Sequence, residues 1–279
     1  MTKTSVLITG ASTGIGAVYA ERFASRGHDL ILVARDKTKL DALAERLRQE
    51  KGVSVDVLPA DLTQAAELAT VETRLREDEK IGVLINNAGI AQSGHFIGQT
   101  SEAIERLIAL NVTALTRLAS AAAPRFVNAG EGAIVNISSV VGLAPEFGMS
   151  IYGATKAFVL FLSQGLHLEL SSAGVYVQAV LPAGTYTEIW ERAGIDISKA
   201  PEMMEVDQLV DAALAGFDRR ELVTIPPLQH AAHWDDLERT RQALLADINQ
   251  ANVAERYKVL SGGIRHRTEY RFFTQQQRC

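Results

Sequence analysis

Six short runs rich in Val, Ile and Leu, at residues 6–9, 30–33, 53–58, 83–86, 133–137 and 175–181, alternate with helix-like segments at about 15–26, 38–50, 64–79, 101–127 and 153–171. Runs this short and this apolar read as strands buried on both faces, the condition of a parallel sheet. Strands that recur with a helical segment between them imply parallel pairing, because each crossover needs a covering helix. The expected fold class is α/β: a doubly wound, Rossmann-like parallel sheet with helices on both faces. A seventh strand is predicted at 222–225, stopped by Pro226-Pro227, after a helix-like run at 205–217. A last helix-like region covers about 234–256.

No Gly/Ser linker or composition break interrupts the pattern, so one domain is predicted over 1–258, with 186–220 as its substrate loop and helix region. Residues 259–279 are polar and basic, contain Gly262-Gly263, and are expected to form a flexible tail outside the fold. The 279 residues are 47% hydrophobic and 22% charged, enough for a sizeable core without staples. A formal net charge of −5 offers no basic field for a nucleic-acid backbone. The one cysteine, Cys279, excludes a disulfide framework within the chain and is compatible with a reducing compartment. The apolar start, Ser5 to Thr9, is too short for a signal-peptide core, and no uninterrupted apolar run approaches the roughly 18 residues of a membrane span. A cytoplasmic protein with a small-molecule substrate and no membrane partner is the expectation. No His, Cys, Asp or Glu cluster has metal-ligand spacing, and His95, a lone histidine, is given no role.

The first strand ends in Thr9-Gly10-Ala11-Ser12-Thr13-Gly14-Ile15-Gly16, and a helix follows at once. Glycines in that position let the backbone turn sharply and approach a pyrophosphate, while the helix N-terminus offers free N–H groups. A tight turn with packing glycines is the plainer account, but the strand–loop–helix context favours phosphate binding. The second strand ends in Val33-Ala34-Arg35-Asp36. A carboxylate at such a strand end would bond the free ribose 2′-hydroxyl of NAD; here Ala34 stands there, and the Arg35 guanidinium suits a 2′-phosphate instead. Asp36 faces elsewhere or caps the helix from Thr38.

Further along stand Tyr152-Gly153-Ala154-Thr155-Lys156, Ser139 thirteen residues before Tyr152, and Asn111 in an apolar helical pattern. A spacing of four puts Tyr152 and Lys156 on one helix face, where an ammonium favours a phenolate. Together with the Gly-x-x-x-Gly-x-Gly loop, these residues resemble the short form of the short-chain dehydrogenase/reductase family, over residues 4 to about 187. The resemblance implies an oxidoreductase that moves a hydride between NADP(H) and a ketone, aldehyde or secondary alcohol.

In that family's terms Tyr152 is the general acid/base, Lys156 its partner, Ser139 a hydrogen-bond donor to the substrate oxygen, and Asn111 a residue that holds a helix open around a proton-relaying water. Ser138 competes with Ser139, and the offset favours Ser139. The implied cofactor residues are Gly10, Ser12, Thr13, Gly14, Ile15, Gly16, Arg35, Asp61, Leu62, Asn87, Ala88, Gly89, Tyr152, Lys156, Pro182, Thr185 and Thr187. Asp61 would bond the adenine amino group, or cap the helix starting near Gln64, or both. Where the family has Pro-Gly and then a threonine, this chain has Pro182-Ala183-Gly184-Thr185-Tyr186-Thr187; Thr187 keeps the offset and Thr185 is a nearby substitute.

Trp190, Met203 and Met204 line an apolar substrate pocket or belong to the core; their pattern fits both. The resemblance also implies a homodimer or homotetramer packed through the helices at 101–127 and 153–171, where Phe158, Phe161 and Leu162 offer an apolar face. Two other functions stand beside the reductase. A sugar epimerase or dehydratase on a related fold would favour Gly-x-x-Gly-x-x-Gly, which is absent here. A catalytically idle NADPH-binding regulator would have little need of the Ser–Tyr–Lys set.

Overall fold

The computed structural model describes residues 4–92, 96–189 and 203–258. Seven parallel strands, β1 (Ser5–Thr9), β2 (Leu30–Ala34), β3 (Val55–Pro59), β4 (Ile81–Asn86), β5 (Gly132–Ile137), β6 (Val175–Val180) and β7 (Val223–Thr224), lie in the order β3-β2-β1-β4-β5-β6-β7. The fold is the doubly wound α/β sheet that the alternating pattern predicts. From β1 the chain moves outward to β2 and β3, then returns past β1 to continue as β4 to β7. The ends of β1 and β4 therefore lead into loops that diverge, and a crevice opens between them.

Alternation within each strand feeds two cores. Val6 and Ile8 of β1, Leu30 and Leu32 of β2, and Val135 of β5 belong to one apolar cluster, with Phe23 of α1 (Gly14–Ser25), Leu40 and Leu47 of α2 (Lys37–Lys51) and Leu209 of a later helix. Leu7, Ile31, Val33, Leu84 and Ile134 face the opposite side, against Leu68 of α3 (Ala65–Glu77) and Phe126. Neither face of β1 and β2 reaches water along most of their length, which is why they read as continuous apolar runs, whereas the edge strand β3 carries an exposed Asp56.

The predicted helix at 101–127 is a composite. An α-helix, α4 (Ser101–Ile108), passes through one π-helical stretch at Ala109–Ala114 into α5 (Leu115–Ala129). By length and composition this combined helix, Ser101–Ala129, could cross a bilayer. Its apolar side is instead built into the fold, with Ala114, Leu118, Ala122 and Phe126 all within the second core. α6 (Ser150–Leu170) packs against β6, and α7 (Val206–Asp218) against α1, where Arg22 reaches Asp207 and Asp211 at 2.6 and 2.7 Å.

Met1–Pro227 forms one compact unit that holds the whole sheet, and Leu228–Cys279 forms a second; the break falls at Pro226-Pro227. In the second unit α8 (Ala232–Ile248) ends well before 256, because a separate 3₁₀ turn at Glu255–Tyr257 follows an irregular stretch. The predicted tail at 259–279 lies outside the described residues.

Candidate active site

The loop between β1 and α1 is held by its neighbours rather than by its own side chains. The Thr9 hydroxyl accepts the backbone N–H groups of Asn87 and Ala88, each at 3.0 Å, and the Asn87 amide donates to the Thr9 and Gly10 carbonyls at 3.0 and 3.2 Å. This leaves no room at two glycines. Gly10 adopts φ 65°, and a Cβ there would stand 2.9 Å from the Ala88 backbone. A Cβ on Gly16 would collide with the Gly10 carbonyl. Thr13, at the N-cap of α1, makes no side-chain cap bond, and the first turn carries no acidic residue. The N-terminal N–H groups of α1 thus keep their capacity for an anion.

A cavity of 490 Å³ runs from Arg35 past this loop to Ile90. Most of the expected cofactor residues line it: Gly10, Ser12, Thr13, Gly14, Ile15, Arg35, Asp61, Leu62, Asn87, Ala88, Gly89 and Thr187 are all on its wall. Gly16 stands behind them as a packing glycine. At the Arg35 end the walls carry cations at Arg35, Lys39 and Arg106 and anions at Asp36, Asp61 and Glu188. Asp36 caps α2 by accepting the Lys39 N–H at 3.0 Å, so both the cap and the cavity position apply to it. Asp61 bonds the Thr63 N–H and hydroxyl at 3.0 and 2.7 Å, while Gln64 holds the N-cap position of α3 without a side-chain cap bond; the capping role weighed for Asp61 is thus not its own. Burial acts to raise the Asp61 pKa, but the Thr63 bonds, with Arg35 and Arg106 nearby, outweigh it and hold the carboxyl below its ordinary value.

A second cavity, of 290 Å³, adjoins the first and shares Ile15, Asn87, Gly89, Thr187 and Ile189 with it. Tyr152, Lys156, Ser139 and Pro182 line this one. The remaining walls are mostly apolar, from Val140, Val141, Phe147 and Met149. The start of α6 brings Tyr152 and Lys156 to the end of β5, with the Lys156 amine 5.7 Å from the centre of the Tyr152 ring and donating to the Ile137 carbonyl at 2.9 Å. The two serines separate cleanly. Ser138 spends its hydroxyl on the Lys156 carbonyl at 2.7 Å, whereas Ser139 bonds the Tyr152 side chain and donates to the Pro182 carbonyl at 3.2 Å.

Asn111 lies in the π-helical stretch, where the turn is wider than in an α-helix and holds one residue more. Its amide clasps Ile90, accepting the N–H at 3.0 Å and donating to the carbonyl at 2.9 Å, and it reaches Thr155 at 3.2 Å. It also stands close to Gly89, where a Cβ would lie 3.2 Å from the Asn111 oxygen and 3.6 Å from the Lys156 amine.

After β6 the outcome is mixed. Among the described residues only Arg220 is a non-glycine with positive φ, so Ala183 replaces the family's glycine without a left-handed backbone. Thr187 sits over Gly14 and borders both cavities. Thr185 is buried, donates to the Ala183 carbonyl at 3.0 Å, and borders only the second cavity. Met204 packs on the core and its backbone pairs with 184–186, while Met203 lies against Gly184. Neither methionine is on the wall of either cavity: Met204 belongs with the core, and Met203 is half-buried and in no core cluster; Trp190 and His95 lie outside the described residues. Lys39, Arg106, Glu188 and Phe147 are wall residues that sequence reasoning missed, since a lone charge or aromatic on a helix or loop carries no spacing signal.

Burial moves the two titrating groups in opposite senses. It pushes Tyr152 up to about 12, against the pull of the Ser139 bond, and brings Lys156 down to about 8. An amine with a pKa of 10.5 unfolded and about 8 folded binds fewer protons when folded between those values. Its contribution to stability therefore rises with pH across that window, and the cost of the buried charge is fullest below it. Nucleotide-free protein should gain about 1–2 kcal/mol relative to Lys156→Met between pH 7.5 and 9.5. Denaturant titrations at the two pH values measure this, and a gap that does not change with pH refutes it.

Comparisons with known proteins identify the family. Residues 4–197 match the family model described as short chain dehydrogenase. A short-chain dehydrogenase from Sphingobium yanoikuyae, solved in complex with NADPH, is 74% identical; the match covers 91% of this chain and 100% of that one, with a TM-score of 0.90. The bulky-bulky ketone specific alcohol dehydrogenase from Comamonas testosteroni is 61% identical over 92% of this chain and 99% of that one, with a TM-score of 0.86. A very-long-chain 3-oxoacyl-CoA reductase from Anas platyrhynchos is 37% identical over 183 residues, 63% of this chain and 58% of that protein. The chain thus matches under three fifths of that curated relative's length. With a family match over most of its length, the chain belongs to the short-chain dehydrogenases, the oxidoreductase family that its glycine loop and Tyr–Lys pair resemble.

Proposed function

We propose that this chain reduces ketones to secondary alcohols, or runs the reverse reaction, with NADP(H) as cofactor and Tyr152 as general acid/base. The observation that carries this reading is the wall common to both cavities. A long crevice with an anion-ready helix end and Arg35, Lys39 and Arg106 on its wall leads directly into an apolar chamber, where Tyr152, Ser139 and Lys156 stand together. The fit to a dinucleotide rests on the cradle: side chains at Gly10 and Gly16 would fill it, α1 offers uncapped N–H groups, and Arg35 stands at the far end. Arg35 in place of a ribose-binding carboxylate favours the phosphorylated cofactor, and the Sphingobium relative was solved with NADPH.

The reduced nicotinamide supplies the hydride. Tyr152 stays protonated at neutral pH because its burial disfavours the phenolate, so it can donate a proton to the developing alkoxide. Ser139 reaches the same oxygen and stabilises its charge. In the oxidative direction the phenol must lose its proton, and the Lys156 ammonium opposes the cost. Asn111, through the π-helical stretch and Ile90, positions the floor beneath Lys156.

Apolar walls at Val140, Val141, Phe147 and Met149 suit a carbonyl carrying apolar groups on both sides, a preference that the name of the Comamonas relative also expresses. A 3-oxoacyl thioester is the second reading, favoured by the 37% identical reductase. Phe161 and Leu168 on α6 are 78% and 80% exposed, too much for a domain core, and Phe158 is 39% exposed beside them. Their helix face is the contact through which we propose a homodimer or homotetramer. With a single cysteine, the chain suits a reducing, cytoplasmic setting.

Three measurements test these statements. Purified protein with NADPH should turn over aryl or branched ketones in an absorbance assay, and Tyr152→Phe should lose about 10²–10⁴-fold in kcat while still binding NADPH. Nucleotide binding with no turnover on ketones or 3-oxoacyl thioesters would favour the idle regulator. Arg35→Ala should weaken NADPH binding by about 1.5–3 kcal/mol and leave NADH binding unchanged, as read by titration of nucleotide fluorescence. Phe161→Asp should shift the protein to a smaller species in sedimentation; an unchanged profile would remove α6 from the interface.

A further inference from the structure

We infer that Lys39 is a second determinant of preference for the 2′-phosphorylated cofactor, and that Glu188 competes with the phosphate for it. The inference rests on the NADP(H) reading above and adds two residues to it. Lys39 stands one turn into α2, on the same cavity wall as Arg35, and its amine lies 3.4 Å from both carboxylate oxygens of Glu188. That separation exceeds the 2.7–2.9 Å of a tight charged hydrogen bond. Both side chains are nearly half exposed, so the pair contributes little to stability. Its geometry spans the crevice: Lys39 belongs to the α2 side, and Glu188 belongs to the 187–189 segment, whose neighbours Thr187 and Ile189 also border the substrate chamber.

The other two acids on this wall are bonded locally, and the neighbouring Lys37 has its own partner. Asp36 is bound as the α2 cap, Asp61 is bound to Thr63, and Lys37 pairs with Asp41 at 2.6 Å. Arg35 and Arg106 both act on Asp61. A ribose phosphate brings close to two negative charges, more than the single charge of the Glu188 carboxylate. It can therefore draw Lys39 away from a long, exposed pair at small cost. A cofactor with a free ribose hydroxyl has no charge there and leaves the pair in place. Lys39 then discriminates between the two nucleotides, and Glu188 sets how much of that discrimination is expressed.

The test is nucleotide titration of the full chain, with NADPH, NADH, 2′,5′-ADP and 5′-AMP as probes at low and high salt. Lys39→Ala should raise the Kd for NADPH and 2′,5′-ADP about 5–20-fold and shift NADH and 5′-AMP less than about twofold. Glu188→Gln should move NADPH the opposite way, tightening it about 2–3-fold, with the gain shrinking as salt screens the exposed charges. Thermal melts without nucleotide show that both variants remain folded. A wild-type preference for NADPH that survives Lys39→Ala undiminished, or a Glu188→Gln variant that binds NADPH more weakly, overturns this inference alone. A wild-type protein that does not distinguish NADPH from NADH overturns the cofactor reading and this inference with it.

Discussion

The Thr9 hydroxyl and the Asn87 amide tie the end of β1 to the end of β4, and the rest of the cleft depends on that knot. Five hydrogen bonds join the two strand ends at the point where the sheet's winding reverses. Each bond contributes only about 1 kcal/mol net, yet leaving one of these enclosed partners unmatched costs about 1–3 kcal/mol. The loops are therefore fixed relative to each other more firmly than their glycine content suggests. The glycines are the steric complement of the knot: they are small because Asn87 and Ala88 are already there.

A second constraint is the enclosed amine of Lys156. Burial brings it down to about 8, and one carbonyl, that of Ile137, accepts from it at 2.9 Å. Ser138 fastens the Lys156 backbone from the end of β5, and the Asn86–Asn136–Ser163 chain, with links of 3.0 and 2.9 Å, fastens β4 and β5 to α6 behind it. These polar links hold the helix start in place while the apolar chamber forms in front of it. Position is set by polar groups with few alternatives, and shape by apolar ones with many.

The sheet and most of the site were legible because they leave periodic or fixed-offset marks. Strands buried on both faces must be apolar throughout, Gly10 and Gly16 must be glycine, and Tyr152 and Lys156 must be four apart to share a helix face. Other features leave no such mark. Lys39 and Arg106 look like any solvated helix charge, because what distinguishes them is a cavity made by other elements. Met204 fits a pocket or the core alike in sequence, and only its packing in the fold, beside a backbone paired with 184–186, places it against the core. The π-helical stretch was hidden inside a helical pattern, with a polar Asn111 among apolar neighbours as its one trace. Helix ends moved for local reasons, as when α3 starts after Gln64 while the Asp61 side chain is spent on Thr63.

That π-helical stretch has a consequence for how this segment tolerates change in length. A widened turn houses one residue more than regular winding needs, and each residue of an α-helix advances it by about 100°. Loss of a single residue between Ala109 and Ala114 would let the helix close into even winding with its two halves still in phase, whereas a further residue with no second widened turn to absorb it would rotate α4 by about 100° against α5. With α5 anchored in the core by Leu118 and Phe126, that rotation would swing Leu107 out of its buried seat and Arg106 off the crevice wall. The irregular turn thus works as a phase-setter, aligning a helix rooted in the sheet with a helix facing the ligand.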